Sequence, residues 1–471
     1  MFQYVKDSSD IFRFDSTFFK RVYLNDENLI RNKNYKTLIE LENSILSFGA
    51  YSLNNHVTYL EEGIPFIRGI NMKNGRIDFS NTIYIDKQAN DLLWKSEVKP
   101  STVLLSMSGT IGDVAIASKN WKYPINSNQD IAKIHPNKNI SSYYLYVFLL
   151  TKYGQNYLKR EQRGSVQQHV FLSQIEKFEI PILKDRFISK IEELIIKSEH
   201  SIEESKQTYG QAENILLDEI GLQSFILSKD PVNIKSFKNS FVTSGRLDAE
   251  YYQLKYEQVV NKVKTKPYDT LENLVEIDKS IEPGSKNYVE NGLPFMRVAD
   301  LSKNGLSEPQ KYISKYFIKE NQDKINDLKP KKGTILFSKD GSVGIAYHLR
   351  KNYNGITSSA ILHLKVKDKS KIIPEYLTLA LNSKVVQMQA ERDAGGSIIL
   401  HWRVGEIENV VVPIIDFGKQ QQIANLIEQS FSLKKQSEHL LEVAKTAVEI
   451  VIEENEQIAF KYINNQLNTN G

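Results

Sequence analysis

The sequence predicts an α+β protein with two tandem copies of one domain, joined by two long helices that pair as an antiparallel coiled coil with pseudo-twofold symmetry. Three observations carry this prediction. The chain contains an internal repeat, each copy contains short β-type runs bounded by turn residues, and each copy is followed by a seam of apolar and small residues at helical spacing. At 471 residues the chain is also too long for one ordinary domain.

The repeat is a set of short landmarks that return in the same order further along the chain. Pro65-Phe66-Ile67-Arg68 returns as Pro294-Phe295-Met296-Arg297. Gly109-Thr110-Ile111-Gly112 returns as Gly341-Ser342-Val343-Gly344. The other matched pairs are Arg13–Phe19 with Arg246–Tyr252, Gly164-Ser165 with Gly396-Ser397, and Glu179–Ile182 with Val411–Ile414. Because the order never changes and the difference in residue number stays nearly constant, the chain is a tandem duplication.

Each copy follows the same plan of elements. Short runs rich in Ile, Val, Leu and Phe come first, and a helical stretch follows at about Ser142–Arg160 and Pro374–Arg392. A Gly-Ser loop then leads to one more strand, which ends at Pro181 or Pro413. Each copy is therefore predicted to be a mixed α+β domain.

A long helix is predicted after each copy. Apolar and small residues alternate at three- and four-residue spacing over 188–216 and again over 423–451, flanked by Glu and Lys. Small residues such as Ser198 and Ser437 would let two helix backbones approach closely. Each seam could pack on its own domain alone, but both seams are longer than the face of one small domain, so we favour mutual pairing.

The sequence lacks the motifs of common catalytic centres. It has no cysteine, no Pro-Pro or Pro-Asp pair, no G-x-x-x-x-G-K-[ST] loop and no H-E-x-x-H pair. These absences disfavour a zinc site, an amino-methyltransferase, the simplest metal-dependent nuclease signature and an NTPase. We expect no catalytic residue, no metal and no cofactor.

The net charge and the N-terminal sequence indicate more about the cellular location of the protein than about its function. The net charge of +4 neither requires nor excludes nucleic acid, because a phosphate-binding face needs local clustering of cations. The first ten residues, MFQYVKDSSD, do not resemble a signal peptide, and the apolar run Tyr143–Leu150 is too short to span a bilayer. Without cysteine, a cytoplasmic protein is expected.

The duplicated order of motifs resembles the specificity subunits of type I restriction–modification systems. From about Arg13 to Ile458, each copy has an Arg-[Phe/Leu]-Asp-x-x-aromatic-aromatic opening, a Pro-Phe-x-Arg strand, a Gly-[Thr/Ser]-x-Gly turn, a Gly-Ser loop and a Pro-terminated strand before its helix. Gly418–Glu428 is similar to the family's Gln-rich entry into its spacer helix. The first helix begins KDRFISKIEEL and lacks this pattern.

The resemblance implies two target recognition domains that each read one half of a split site in double-stranded DNA. It also implies two spacer helices that help to dock two methyltransferase subunits, with restriction/translocase subunits joining for cleavage. The implied boundaries are 1–183 and 246–415 for the recognition domains, 184–220 and 416–458 for the spacer helices, 221–245 for the linker and 459–471 for a C-terminal tail.

DNA contacts are expected at the strand ends, the Gly-x-x-Gly turns and the Gly-Ser loops. Arg and Lys suit phosphates or guanine edges, and Gln suits adenine edges; a solvated cation, a structural turn or an ordinary polar loop is the competing interpretation. The candidates in copy one are Arg68, Lys73, Arg76, Ser106, Ser108, Thr110, Arg160, Arg163, Ser165, Gln167, Gln168 and His169. The candidates in copy two are Arg297, Lys303, Ser338, Lys339, Ser342, Arg392, Ser397, His401, Trp402 and Arg403. Candidate partner contacts on the helices are Ile195, Ile202, Tyr209, Leu433, Leu440 and Ala444.

Three other functions stay open on the sequence. The chain could serve another methylation-linked defence system, act as a divergent nuclease with an unrecognised site, or be an interaction scaffold whose domains bind protein. Capture of a methyltransferase, cleavage of DNA by the purified chain with Mg²⁺, and the salt dependence of DNA binding distinguish these functions.

Overall fold

The computed structural model describes residues 15–47, 57–164, 168–228, 230, 232–396 and 398–468. The chain divides into two compact units: unit 1 is Met1–Ile202 with Lys435–Gly471, and unit 2 is Glu203–Lys434. Each unit combines one sequence copy with one part of each long helix. The helices are thus shared between the units rather than appended to one copy each.

The described part of unit 1 is built on two four-stranded sheets. One sheet has the strand order β6-β3-β10-β7 and the other β2-β11-β8-β9, while β1 pairs with β12 and β4 with β5. The strands are β1 (Tyr35–Thr37), β2 (Ile45–Leu46), β3 (Ile64–Ile67), β4 (Met72–Lys73), β5 (Arg76–Ile77), β6 (Ile83–Ile85), β7 (Glu97–Val98), β8 (Val103–Ser106), β9 (Val114–Ile116), β10 (Ile125–Ser127), β11 (Ile131–Ile134) and β12 (Glu179–Pro181). β8 and β11 are buried along their whole length, so they lack a polar alternation.

Unit 2 repeats this plan in its described part. Its sheets have the orders β15-β19-β16-β22 and β14-β23-β20-β21, with β13 paired to β24 and β17 to β18. The strands are β13 (Tyr268–Thr270), β14 (Val275–Lys279), β15 (Tyr288–Val289), β16 (Leu293–Met296), β17 (Leu301–Ser302), β18 (Gly305–Leu306), β19 (Lys311–Ile313), β20 (Ile335–Ser338), β21 (Ala346–His348), β22 (Ile356–Thr357), β23 (Ile361–Val366) and β24 (Val411–Pro413). The central pair is parallel in both units, β3 with β10 and β16 with β22. The predicted tandem α+β fold is confirmed.

Helices cover these sheets and connect the two units. The helices are α1 (Arg21–Arg31), α2 (Lys87–Leu92), α3 (Ser142–Leu150), α4 (Lys152–Glu161), α5 (Leu172–Ile175), α6 (Asp185–Glu219), α7 (Leu254–Lys264), α8 (Leu271–Leu274), α9 (Lys315–Glu320), α10 (Gln322–Ile325), α11 (Pro374–Asn382), α12 (Lys384–Asp393), α13 (Val404–Glu408), α14 (Phe417–Glu453) and α15 (Glu456–Asn468). No helix in the described ranges combines the length and apolarity needed to cross a membrane.

The stretch predicted as one helix in each copy is two short helices. The break falls at Thr151 in copy one and Ser383 in copy two, both with extended backbone. Thr151 Oγ1 accepts a hydrogen bond from Gly154 N–H (3.4 Å) and so caps α4. The pattern of apolar residues continues across the break, which is why it predicts a single helix.

The two long helices pack against each other in an antiparallel direction within each unit. In unit 1, Ser198 Oγ donates to Ser437 O (2.7 Å), and the Ser437 hydroxyl donates back to the Ser198 carbonyl. In unit 2, Ser205 Oγ donates to Ser430 O and Ser430 Oγ donates to Ser205 O, both at 2.8 Å. Such reciprocal bonds require the small side chains that the seam provides. The predicted helix pairing is confirmed.

The C-terminal segment differs from the expected tail. α14 ends at Glu453, and a separate helix, α15, follows. Ala459 and Ile463 of α15 are fully buried in the core of unit 1, and Phe460 meets Phe187 with 5.6 Å between ring centroids. Apolar residues at four-residue spacing therefore extend the core of unit 1 beyond the long helix.

Each unit buries a basic side chain at the same position of corresponding strands. Lys133 lies two residues after the partner of Ser106, and His363 lies two residues after the partner of Ser338. Lys133 Nζ donates to Ser127 Oγ (3.1 Å), and His363 Nε2 lies 2.9 Å from the Thr357 hydroxyl. Burial lowers the pKa of Lys133 to about 7 and that of His363 to about 4.

This buried lysine predicts a pH-dependent stability of unit 1. Because the pKa of Lys133 falls from 10.5 to about 7 on folding, the unfolded chain binds more protons between these values. The free energy of unfolding should therefore rise with pH in this window, by up to about 1.4 kcal/mol per pH unit. Urea unfolding at several pH values would measure the slope, which Lys133→Met should remove.

The matched control is Lys365→Met, because Lys365 is an exposed lysine on β23 of unit 2. This variant should keep the wild-type slope. An equal slope in the wild type and in Lys133→Met would contradict the assignment.

Candidate nucleic-acid interface

The Gly-Ser loop of unit 2 is a closed hairpin. Over Ala394–Arg403, Gly395 N–H donates to His401 O (3.1 Å) and His401 N–H donates to Gly395 O (2.7 Å). At Gly396 the backbone has φ +129°, and an added Cβ would lie 2.1 Å from the Ile399 carbonyl oxygen. Glycine is therefore required at this turn.

This loop is bound to the Gly-x-x-Gly turn, Ser338–Ile345. Gly341 N–H donates to Leu400 O, and Trp402 N–H donates to Lys339 O, both at 2.8 Å. Two segments that are separate in sequence thus form one surface. We name it the loop–turn pair of unit 2.

Unit 1 contains the same arrangement at the corresponding positions of copy one. Arg163 N–H donates to His169 O (2.9 Å), and His169 N–H donates back to Arg163 O (2.7 Å). Val170 N–H donates to Met107 O (2.9 Å), which attaches the loop to the turn Ser106–Asp113. We name this the loop–turn pair of unit 1.

In each unit, a glutamine side chain donates a hydrogen bond to the Gly-x-x-Gly turn. Gln155 Nε2 donates to Gly112 O (2.8 Å), and Gln387 Nε2 donates to Gly344 O (2.7 Å). The φ angles of the two glycines are +98° and +82°, and an added Cβ would lie within 2.8 Å of the glutamine side chain. These glutamines were not among the predicted site residues. The signal that identifies them is their spacing, because Gln155 and Gln387 are as far apart in sequence as the two glycines they hold.

The two strand-end arginines occupy equivalent positions directly after β3 and β16. The Arg68 N–H donates to Asn71 Oδ1 (3.0 Å), and the Arg297 N–H donates to Asp300 Oδ2 (2.9 Å). An added Cβ on Gly69 would lie 3.5 Å from a hydroxyl oxygen of the unit 1 turn, so this strand end adjoins that turn. Asn71 and Asp300 are further residues that were not predicted from the sequence.

A cationic cavity lies beside the loop–turn pair of unit 2. It has a volume of about 370 Å³, and its lining includes Lys279, Lys339, His401 and Arg403. Lys339 Nζ donates to Asp340 Oδ2 (2.5 Å), and His401 Nδ1 lies 2.9 Å from Asp340 Oδ1. One carboxylate faces several basic groups, so the surface favours an anion.

Unit 1 has different side chains at these positions. Met107 and Ser108 stand where unit 2 has Lys339 and Asp340. The Ser108 hydroxyl donates to the Asp130 carboxylate, which also accepts from Asn128 Nδ2 at 2.9 Å. The same backbone arrangement therefore carries a lysine and an aspartate in unit 2 where unit 1 has a methionine and a serine bound to Asp130.

One group among the described residues has the composition of a metal site. His348, Glu375 and Glu428 place ligand atoms within 4.8 Å of one another. Arg350 Nη2, however, donates to Glu428 Oε1 at 2.8 Å, and its guanidinium lies over the Phe431 ring at 3.5 Å. The guanidinium supplies the positive charge that a metal would bring, so we interpret the group as an ion-pair network.

Comparison with known proteins identifies the family. The model of the type I restriction modification DNA specificity domain matches residues 49–184 and 266–443, which is more than half of the chain. The chain belongs to this type I specificity family. No curated protein matches it.

The solved structures that resemble this chain are less similar to it than the family model is. The S subunit of a type I restriction–modification system from M. genitalium is 13% identical, with 92% of this chain and 96% of that chain covered and a TM-score of 0.40. The HsdS subunit from Thermoanaerobacter tengcongensis is also 13% identical, with 90% and 97% covered and a TM-score of 0.29. Family membership rests on the family model.

Several DNA-contact candidates of this specificity chain are buried. Arg160 is 5% exposed: its Nε donates to Phe18 O (3.1 Å), and its Nη1 lies 3.3 Å from Glu27 Oε2. We therefore assign Arg160 to the core of unit 1 and not to a DNA surface. The other buried candidates are Ser106, Ser108, Ser338 and Trp402.

Besides Lys339 and His401, which contact Asp340, and Arg297, which pairs with Asp300, three basic candidates are bound to side chains of their own unit. Arg392 forms two hydrogen bonds with the Asp393 carboxylate, at 2.6 and 3.0 Å. Arg76 Nη2 donates to the hydroxyls of Ser198 and Ser437 on the helix pair. Lys303 Nζ lies 3.5 Å from Glu213 Oε1 on α6. These contacts give the three side chains structural roles.

The remaining candidates lie at the surface or partly exposed. They are Arg68, Lys73, Thr110, Arg163, Gln168 and His169 in unit 1, and Arg297, Lys339, Ser342, His401 and Arg403 in unit 2. Ser165, Gln167 and Ser397 lie outside the described residues. Gln168 and His169 belong to the loop–turn pair of unit 1, and Lys339, Ser342 and His401 to that of unit 2.

The candidate partner contacts lie in the helix seam. Ile195, Leu440 and Ala444 are buried in the core of unit 1, which leaves them unavailable to another protein. Ile202, Tyr209 and Leu433 are half-buried. The seam therefore serves the packing of the chain itself.

Because Arg160 is buried, we predict that its replacement destabilises the fold and does not remove a direct contact with DNA. Arg160→Ala leaves Glu27, itself 5% exposed, without one of its cationic partners. The free energy of unfolding should fall by about 3 kcal/mol. Urea unfolding would measure this, with the exposed Arg403→Ala as the control that stays within about 0.5 kcal/mol of the wild type. Equal stability of Arg160→Ala and the wild type would contradict the core assignment.

Proposed function

We propose that this chain is the non-catalytic DNA-reading subunit of a type I restriction–modification complex, with each unit reading one half of a bipartite duplex site. The observation that carries the proposal is the loop–turn pair, which occurs twice with three equivalent backbone hydrogen bonds and with different exposed side chains. Two unlike half-sites require this combination of a constant support and variable contacts.

The exposed side chains of the two units differ in chemistry, which supports the recognition of a different base sequence by each unit. In unit 2, Lys339, His401 and Arg403 beside the cavity suit phosphate oxygens or guanine edges. In unit 1, Gln168 offers an amide that suits an adenine edge. Arg68 follows the strand end that adjoins the turn of unit 1, Arg297 is its counterpart in unit 2, and both suit phosphate contacts.

The helix pair is proposed as the spacer between the two reading units. Two methyltransferase subunits and restriction/translocase subunits are the partners that the resemblance implies, and surface positions on α6 and α14 outside the buried seam are where we expect them to dock. Capture of a methyltransferase by the purified chain and methylation mapping of cells that carry the gene with its neighbours test this assignment. Cleavage of DNA by the chain alone with Mg²⁺ would instead support a nuclease.

The cationic cavity predicts the salt dependence of DNA binding. Each lysine or arginine that neutralises a phosphate contributes about one unit to the slope of log Kd against log salt. The double variant Lys339→Ala/Arg403→Ala should therefore weaken binding to random-sequence duplex and lower the slope by about two. Filter binding of the full chain at several salt concentrations measures both quantities.

Lys419→Ala is the matched control, because Lys419 pairs with Glu219 on the helices, outside the cavity lining. It should leave the slope unchanged. A double variant with the wild-type slope would exclude the cavity from the DNA interface.

The helix pair predicts the distance between the half-sites. Deleting Glu199–Ser205 from α6 together with Ser430–Gln436 from α14 removes one heptad from each and keeps the Ser198–Ser437 contact. The helices become about 10 Å shorter at 1.5 Å per residue, so the spacer in the target should shrink by about three base pairs while both half-sequences stay the same. Methylation sequencing in cells measures the target.

Deleting the same heptad from α6 alone is the control, since it mismatches the two seams and should reduce the level of folded protein. Methylation at the original spacing by the double deletion would contradict a spacer role for the helices.

A further inference from the structure

Three consecutive apolar side chains stand exposed at the tip of the loop–turn pair of unit 2. Ile398 is 95% exposed, Ile399 55% and Leu400 41%. Single exposed apolar residues are common on protein surfaces, but a contiguous apolar group at a protruding tip marks a contact site. We name Ile398–Leu400 the apolar tip.

Backbone hydrogen bonds attach both ends of the loop that carries the apolar tip. The loop closes at Gly395 and His401, and Leu400 O and Lys339 O accept hydrogen bonds that fix the loop on the turn. Isoleucine is also restricted at χ1 by its branched Cβ. The attached loop ends and the restricted χ1 angles reduce the conformational entropy that the tip loses when another surface covers it.

The surroundings of the tip indicate what covers it. The adjoining cavity is lined by Lys279, Lys339 and Arg403, and His401 of the loop is exposed. A ligand that fits must present anionic groups beside an apolar surface. A DNA duplex has this chemistry, with phosphates on the outside and the faces of the bases between them.

We infer that the apolar tip of unit 2 inserts between neighbouring base pairs of the second half-site and unstacks them. Ile and Leu have no donor or acceptor for base edges, and they belong to the side chains that act as wedges in bent DNA. The inference rests on the proposed function, because it assigns a contact within the same DNA-binding surface. It goes further in assigning a deformation of the DNA to one loop only.

The sequence of unit 1 supports this asymmetry. The positions that correspond to Ile398-Ile399-Leu400 are Val166-Gln167-Gln168, two of which carry polar amides. Amides read base edges by hydrogen bonds and do not need to unstack them. The two half-sites are thus expected to differ in DNA shape: the second is kinked at one base step and the first is regular.

The test uses the full chain in complex with its methyltransferase subunits and a duplex that carries the target mapped by methylation sequencing. 2-Aminopurine, whose fluorescence rises on unstacking, replaces one adenine at a time in each half-site, with the methylated base itself left unsubstituted because methyltransferases flip their target base. At the remaining positions the wild-type complex should raise the fluorescence at one step of the second half-site and at none of the first.

The tip variant replaces Ile398-Ile399-Leu400 by Val-Gln-Gln, the sequence of copy one. Because the replaced side chains are exposed, the variant should fold normally. It should lose the fluorescence rise and bind the target about tenfold more weakly. Ile234→Ser is the matched control, since Ile234 is 91% exposed outside the loop, and it should keep both the rise and the affinity.

Other outcomes overturn the inference in distinguishable ways. Target binding without any fluorescence rise excludes the wedge but leaves the proposed function intact. If replacing thymine by uracil in the second half-site reproduces the affinity loss without unstacking, the tip contacts a thymine methyl group. Binding to anionic vesicles that depends on the tip, without DNA binding, assigns the tip to a membrane. A complex that shows no salt-dependent DNA binding fails both the wedge and the proposed function.

Discussion

In each unit, apolar side chains from part of each long helix are buried in the hydrophobic core. The rest of the structure depends on the burial of these side chains. Phe187 and Ile191 of α6 and Ala444 and Val448 of α14 belong to the core of unit 1. Unit 2 receives Ala212 and Leu216 of α6 together with Ile423 and Ile427 of α14. Burial of this apolar surface is the main stabilising contribution. A copy without its helix segments would expose a large part of its core to water.

Hydrogen bonds also attach each sheet domain to its own helix segments. In unit 1, Arg76 of the β4–β5 hairpin donates to the hydroxyls of Ser198 and Ser437. In unit 2, the corresponding β17–β18 hairpin is held by Lys434 Nζ, which donates to Asn304 O at 2.6 Å. Corresponding hairpins are thus attached to the helices in both units, by a donor on the hairpin in unit 1 and a donor on the helix in unit 2.

The sequence was sufficient to predict the duplicated fold and the helix pairing, because both depend on periodic patterns. The nearly constant spacing of the repeat aligns almost every strand of the two units, and the seam serines form the predicted close contact. Whether a single polar residue is buried or exposed, and what it contacts, could not be predicted in this way. Arg160 lies four residues before the Gly-Ser pair in the sequence, and only the fold brings Glu27 and Phe18 to it. Gln155 and Gln387 have no special local context, so their role becomes visible only when the turns they hold are known.

The hydrogen bonds of the loop–turn pairs explain how one fold can carry two surfaces with different exposed side chains. These bonds join backbone groups, such as Trp402 N–H with Lys339 O and Val170 N–H with Met107 O. Backbone groups are the same whatever the side chain, so the positions between the required glycines tolerate substitution at little cost in folding free energy. Side chains at the tip and beside the cavity are then free to change from amides to cations or apolar groups. A loop held by hydrogen bonds from its variable side chains would lose this support with each substitution, whereas the loop of each unit retains it.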